Sequence, residues 1–409
     1  MQLPTTDSPR GLIASAFLGF AVFGSFWGVW GASVPRVADR AGVSDGGLGF
    51  ALLFVGAGAL PAMLLAGRAL DRWGLKVAAP ALGALGVAGS GLAVTAASLT
   101  SLCIGLALVG ACSGAADVAI NSVAGRAEAI AGRPVITRAH AVFSGFVVLA
   151  TLGTGLASGA SLPLAAPFTV VAALSLVAAA AIVRALPPRT VAARRDRLPA
   201  PNPLVAGGAR IVPLLLVGAL GALAFAGENA HQSWSALFAR EELHSGTGLA
   251  SIAPAVFAAT VAITRFAAGG LGAAHARTVL LAGAAADAAG TAVIAAAPNL
   301  FVAAPGLALA AAGTAVLFPT LLGIVSRNVE ESHRGRATSI VSTVSYLGFL
   351  LGPVYVGTVA GAAGLRAAMA AVAVLAVALC LLAPVLLRLA GFDATRPDAE
   401  AAEFAELVA

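Results

Sequence analysis

Lysine is almost missing from this 409-residue chain: of its 24 basic residues only Lys76 is not an arginine. The residue before it is Leu75, so no Gly-Lys pair exists and no Walker A phosphate loop can form. That removes an ATP-driven pump built from this chain alone. Charge of either sign is scarce, at 10% of residues, against about 25% in soluble domains. The three cysteines, Cys103, Cys112 and Cys380, all lie in apolar runs, where free cysteine packs as a small hydrophobe. Neither a disulfide scaffold nor a metal cluster is expected. His-Glu-x-x-His, a dinucleotide glycine fingerprint and cysteine pairs at zinc spacing are all absent. An intramembrane enzyme would need a clustered nucleophile, base and electrophile, and the sequence shows none. No cofactor is implied.

What is present in quantity is apolar surface, 59% of residues against roughly 45–50% in soluble domains. A soluble fold needs more polar surface than this, so the partner of the chain is the lipid bilayer. The net charge of +6 then reports topology and not nucleic-acid binding.

A helix crossing about 30 Å of hydrocarbon needs about 20 apolar residues. Twelve such runs can be counted: 11–32, 46–66, 77–97, 102–124, 139–160, 164–186, 211–235, 249–270, 277–297, 300–326, 338–360 and 365–388. The first is too long for a signal-peptide core and reads as a retained span. Between the sixth and seventh runs lies 187–210, rich in proline and arginine. It divides the chain into bundles at 1–186 and 211–388, with a tail at 389–409. The fold class is therefore an all-α membrane protein, with twelve spans in two six-helix halves. With both termini inside, Arg36, Arg40, Arg240 and Arg366 are outside and the other 24 − 4 = 20 cations are cytoplasmic or at its edge. The positive-inside bias favours that orientation and a cytoplasmic (inner) membrane location.

Several polar groups interrupt the apolar runs. Between the second and third spans stand Gly67, Asp71, Arg72, Gly74 and Lys76, glycines for a tight turn with cations for the cytoplasmic side. Asp71 suits a helix N-terminus near Thr338. After the eighth span Arg265-Phe-Ala-Ala-Gly-Gly-Leu-Gly-Ala-Ala-His275 repeats the glycines and cations without the acid. In the fourth span Asp117 and Asn121, four apart, share a helical face, and an intramembrane acid is costly unless it pairs, titrates or faces water. The seventh span ends in Glu228, Asn229, His231 and Gln232, too polar for lipid. That stretch either faces a cavity or is unwound. Glu228 and His231 join Asp117 as candidate proton carriers. His140 opens the fifth span, and Asp287 lies inside the ninth with Thr291 one turn on. Phe20, Phe23, Trp27 and Trp30 run down the first span, and Tyr346 and Pro353 mark the eleventh. The substrate-cavity candidates are Trp27, Asn121, His140, Asn229, Gln232 and Tyr346.

The Gly67–Lys76 segment resembles the G-x-x-x-D-R-x-G-R/K-K/R loop signature of the major facilitator superfamily, departing at Leu75. Twelve spans in a 6+6 division extend the resemblance. It implies a transporter with two pseudo-symmetric halves around one cavity, working by alternating access. Asp117-Val-Ala-Ile-Asn121 is similar to the fourth helix of the fucose-permease branch and of the bacterial YbjJ-type group, although the first span lacks the carboxylate that fucose permease carries there. That resemblance implies proton-coupled movement of a small, sugar-like solute by a monomer. Export of amphipathic metabolites or drugs, and a non-transporting sensor of the same fold, are the alternatives.

Overall fold

A computed structural model describes residues 9–132, 135–186, 211–268 and 275–392. The tail beyond 392, the segment 187–210 and the glycines Gly269, Gly270 and Gly272 of the second loop lie outside the described residues. Among the described residues, twelve helices are long and apolar enough to cross a membrane, and none of these residues forms a strand. They are α1 (Pro9–Ala41), α2 (Asp45–Trp73), α3 (Ala78–Thr95), α4 (Leu99–Ala131), α5 (Ile136–Gly159), α6 (Ala165–Ala185), α7 (Ile211–Glu241), α8 (Ile252–Ala268), α9 (Ala276–Ala296), α10 (Leu300–Asn328), α11 (Glu331–Ala363) and α12 (Leu365–Ala390).

Each counted run became one helix, but several helices outlast their runs. Hydropathy counts apolar residues and stops at charge, whereas a helix continues where its charges find partners. At the end of α1, Arg36 donates to Ser158 Oγ at 3.1 Å and to the Leu162 carbonyl at 2.8 Å. Arg40 donates to the Val94 carbonyl at 2.6 Å, in the last turn of α3. There the open carbonyls and the helix dipole favour a cation. The helix stops only at Gly42, whose φ of 62° suits glycine. In the same way α4 runs on to Ala131 with Glu128, whose Oε2 accepts from the amides of Val135 at 2.7 Å and Ile136 at 3.0 Å. That carboxylate fills donors at the start of α5, a helix with no side-chain cap. α11 begins at Glu331, seven residues ahead of the expected start at Thr338.

Two compact units result. The first holds the described residues of Met1–Asp196 together with Ser235–Ala259, and the second those of Arg197–Trp234 with Thr260–Ala409. α7 and α8 thus each contribute to both. Small residues set the close approaches inside each unit, as expected where lipid offers no hydrophobic drive to association. In the first, a Cβ on Gly24 would lie 2.3 Å from the Phe143 carbonyl oxygen, and one on Gly58 2.0 Å from that of Ala107. α1 therefore lies backbone-close on α5, and α2 on α4. A Cβ on Gly155 of α5 would meet Ser251 Oγ at 1.8 Å and the Gly248 carbonyl oxygen at 2.8 Å, so the segment just before α8 also sits close on α5. In the second unit Gly290 and Gly313 do the same for α9 and α10, and Gly348 for α11 against Ala222 of α7. Leu214, Val217 and Leu220 of α7, Leu280 of α9, Leu317 and Leu321 of α10 and Leu379 of α12 form its buried core.

Candidate functional site

The polar stretch of α7 organises the second unit. The helix is continuous through it to Glu241, so the segment is not unwound. Glu228, Asn229 and His231 are buried, and Gln232 is exposed. Its backbone groups are spent on the helix, and each side chain is met by a different neighbour. Glu228 Oε1 accepts from Arg265 Nη2 at 2.9 Å and from Gln232 Nε2 at 3.1 Å. Arg265 Nε also donates to the Ala315 carbonyl at 3.3 Å. One guanidinium therefore ties α7, α8 and α10 together. Asn229 donates to the Phe349 carbonyl of α11 and accepts from Ser233 Oγ at 2.8 Å. His231 turns instead toward α9, where Nε2 lies 3.0 Å from Thr291 Oγ1 and 3.4 Å from Asp287 Oδ1.

Two features differ from a simple reading of spacing. Glu228 and Gln232, four apart, bond to each other, while His231, offset round the helix, bonds to α9. Arg265 is not a loop residue. It sits thirteen residues past the first residue of α8, inside an apolar helix, and its position is explained by the carboxylate it meets. Its side chain is 46% exposed and that of Glu228 8%. Arg265, in the last turn of α8, is thus the more open member of the pair.

One turn from Glu228 an aromatic group begins. The Phe225 ring lies 4.3 Å from Phe318, 5.4 Å from Tyr346 and 6.2 Å from Phe349 between centroids. Such separations fall in the ordinary range of ring–ring attraction. Tyr346 is 48% and Phe349 36% exposed, so the rings present open faces. Phe225 stands one turn before Glu228 on α7, so the ring group and the Arg265–Glu228 pair are adjacent along that helix.

The first unit holds a second polar group on α4. Asn121 Nδ2 donates to Asp117 Oδ1 at 3.0 Å and to the Asp117 carbonyl at 2.9 Å. Both side chains are half-buried, and among the described residues no ion pair is formed by Asp117. On the neighbouring helices His140 is exposed and meets the Phe20 ring edge-on at 4.8 Å. Trp27 stands T-shaped to Phe23 at 6.4 Å and to Phe26 at 5.6 Å, which makes it part of a packed aromatic column.

The signature residues are placed differently from a loop. Gly67, Asp71 and Arg72 lie in the last turns of α2, and Asp71 is exposed. Arg72 lies 5.9 Å from the ring centre of Trp73. Gly74 alone makes the turn, with φ 76° and its amide on the Leu70 carbonyl at 2.8 Å. Lys76 follows in a short 3-10 turn at Leu75–Val77.

Sequence reasoning missed Arg265 as the partner of Glu228, and Asp287 as the partner of His231. Each carried a signal, a lone ionisable residue within an apolar run, which demands a partner of opposite charge. Phe225, Phe318 and Phe349 carried none, because phenylalanine is ordinary in a membrane helix.

Comparison with known proteins fits this architecture. The chain is 27% identical over 368 residues to an uncharacterized MFS-type transporter of Yersinia pestis, covering 88% of this chain and 92% of that one. It is 36% identical over 159 residues to an uncharacterized transporter of Sinorhizobium fredii, a match spanning 38% of this chain and 41% of the relative's length. Among solved structures, the nucleoside transporter NupG superposes with a TM-score of 0.75 at 14% identity, over 92% of this chain and 99% of that one. A D-xylose-proton symporter does so with a TM-score of 0.71 at 16% identity, over 91% and 96%. These relatives are transporters and not enzymes. The family profile described as Major Facilitator Superfamily matches residues 15–285 and 235–409, nearly the whole chain between its two matches, and the protein belongs to that superfamily of membrane transporters.

Proposed function

We propose that the protein is a proton-coupled secondary transporter for a small polar solute bearing a ring, sugar-like in size, of the fucose-permease-like branch. It exposes its solute-binding groups to one side of the cytoplasmic membrane at a time, as a monomer with both termini inside and 1–186 and 211–388 as its halves. One observation carries this reading: the Arg265–Glu228 pair within the span, beside the open aromatic faces of Phe225, Tyr346 and Phe349. Rings offer a stacking surface to a sugar or base, and the ion pair with Asn229 and Gln232 offers donors and acceptors for hydroxyls. Asp117, Glu228 and His231 are the titratable groups that the proton reading assigns; Trp27, Asn121 and His140 of the first unit and Tyr346 of the second are further candidates for solute contact. Asp71 with Gly67, Arg72, Gly74 and Lys76 is assigned to the cytoplasmic gate.

The D-xylose-proton symporter among the structural neighbours, by its name, couples a sugar to protons, and NupG carries nucleosides. Both are ring-bearing polar solutes. The amount of exposed aromatic surface also favours a second reading, export of an amphipathic metabolite. A thermal-shift screen of the detergent-purified protein against sugars, nucleosides, organic acids and lipophilic cations separates the two. Stabilisation by a sugar or nucleoside that is lost in Phe225→Ala supports the first. Stabilisation by lipophilic cations alone would replace it with the second.

A further inference from the structure

Asp287 is an acid in the middle of α9 that the proposed solute site does not use. It is 2% exposed, and the two groups that meet it, His231 and Thr291, are 1% and 0% exposed. The Thr291 hydroxyl donates to Asp287 Oδ1 at 3.2 Å, and His231 Nε2 stands 3.0 Å from the same hydroxyl oxygen. A threonine has one proton to give. Given to Asp287, it leaves the Thr291 oxygen as an acceptor, so His231 carries a proton on Nε2. The three groups close a triangle, with His231 Nε2 3.4 Å from Asp287 Oδ1.

Room for the triangle is built into the backbone. A Cβ on Gly227 would stand 3.2 Å from Asp287 Oδ2, and one on Gly313 2.6 Å from the Asp287 amide nitrogen. α7 and α10 thus approach α9 at the level of this carboxyl group.

The charges around it are few. α7 brings Glu228, which is bonded to Arg265 of α8 and to Gln232. The other charges of α9, α10 and α12 are Arg277, Arg327, Arg366 and Arg388, all in the first or last turns of their helices. His231 is therefore the group within reach that can balance Asp287. An uncompensated charge in such surroundings is costly, so the pair is most stable with one shared proton and zero net charge. Losing that proton leaves one buried negative charge, and gaining another leaves one positive charge. Glu228 differs, because its charge is already balanced by Arg265.

We propose that the His231–Asp287–Thr291 triangle is a proton-binding site of the transporter, with Asp287 as a proton-carrying residue in addition to Asp117. A proton from water on one side binds the pair, and the same proton leaves to water on the other side, with no other reactant. The proposal rests on the proton-coupled reading above and assigns the proton of the second unit to this pair, leaving Glu228 as a charged partner of Arg265.

The test is infrared difference spectroscopy of the solute-free protein in lipid, perfused between pH 5 and pH 8, the range in which an imidazole changes charge. In wild type, one titration step should change a carboxyl band and an imidazole band together. Asp287→Asn should remove that carboxyl band and displace the imidazole step by about one pH unit or more. His231→Gln should displace the carboxyl step in turn, and it serves as the second variant if Asp287→Asn does not fold. Glu228→Gln should leave both bands in place. A wild-type protein with no such step, or bands unchanged in either pair variant, would overturn the proposal. A step present and shared by the pair, with no proton movement accompanying solute in vesicles, would instead overturn proton coupling and leave the site standing.

Discussion

Replacing either member of the Arg265–Glu228 pair should damage the protein unequally, and the inequality follows from burial. Losing one partner of a fully buried pair costs about 3–5 kcal/mol, because the other is left charged and unpaired. This pair is lopsided: Arg265 is 46% exposed and Glu228 8%. In Glu228→Gln the amide oxygen can still accept from Gln232, and the abandoned guanidinium keeps water and the Ala315 carbonyl. The cost should be about 1 kcal/mol or less. In Arg265→Met the carboxylate stays buried with one amide donor, and the cost should be about 2–3 kcal/mol. The double variant should be less damaged than the two singles summed, by about 1–2 kcal/mol. That exceeds the average near 0.6 kcal/mol for interhelical hydrogen bonds in a membrane protein. Unfolding in mixed micelles with added denaturing detergent measures all four proteins. Singles that add within about 0.3 kcal/mol, or a Glu228→Gln costlier than Arg265→Met, would refute the reasoning.

Three further outcomes are expected. Asp117→Asn mimics the protonated acid, so solute exchange across vesicles should persist while uphill accumulation disappears; accumulation at the wild-type rate removes Asp117 from coupling. Gly24→Val forces a side chain onto the Phe143 carbonyl, where a Cβ alone would sit at 2.3 Å, and should abolish the monodisperse folded fraction. By contrast Gly145→Ala, with nothing within 4 Å, should be neutral or stabilising by up to about 1 kcal/mol through helix propensity. Size-exclusion profiles compare the two. Arg240 makes a two-pronged pair with Asp39 at 2.6 Å on each side. Asp39→Arg should slow solute exchange several-fold, and adding Arg240→Asp should restore it; a double variant no better than the single argues against a functional pair.

How far the sequence carried the account depends on the kind of signal each residue leaves. The twelve helices were legible because about twenty apolar residues in a row have one use, crossing a bilayer. Their ends were not, since α1 and α4 continue on the strength of bonds to residues far along the chain, as with Arg36 to Ser158 or Glu128 to Val135. Asp117 with Asn121 was readable from spacing alone, for both lie on one helix. Thr291 as a partner of Asp287 was readable for the same reason. Arg265 with Glu228, and His231 with Asp287, required knowing which helices are neighbours, and periodicity within a helix does not contain that. The aromatic patch needed α7, α10 and α11 at once.

The central claim is coupling of a solute to protons, and vesicles with a trapped pH dye test it most directly. The purified protein is placed in liposomes buffered at neutral pH, and the solute that stabilised it in the thermal-shift screen is added outside. The account predicts that solute entry acidifies the lumen, that an acid-outside gradient drives the solute above its external concentration, and that a proton ionophore abolishes both. Solute that equilibrates with no change in lumenal pH, at a rate and to a level indifferent to the gradient, would contradict it.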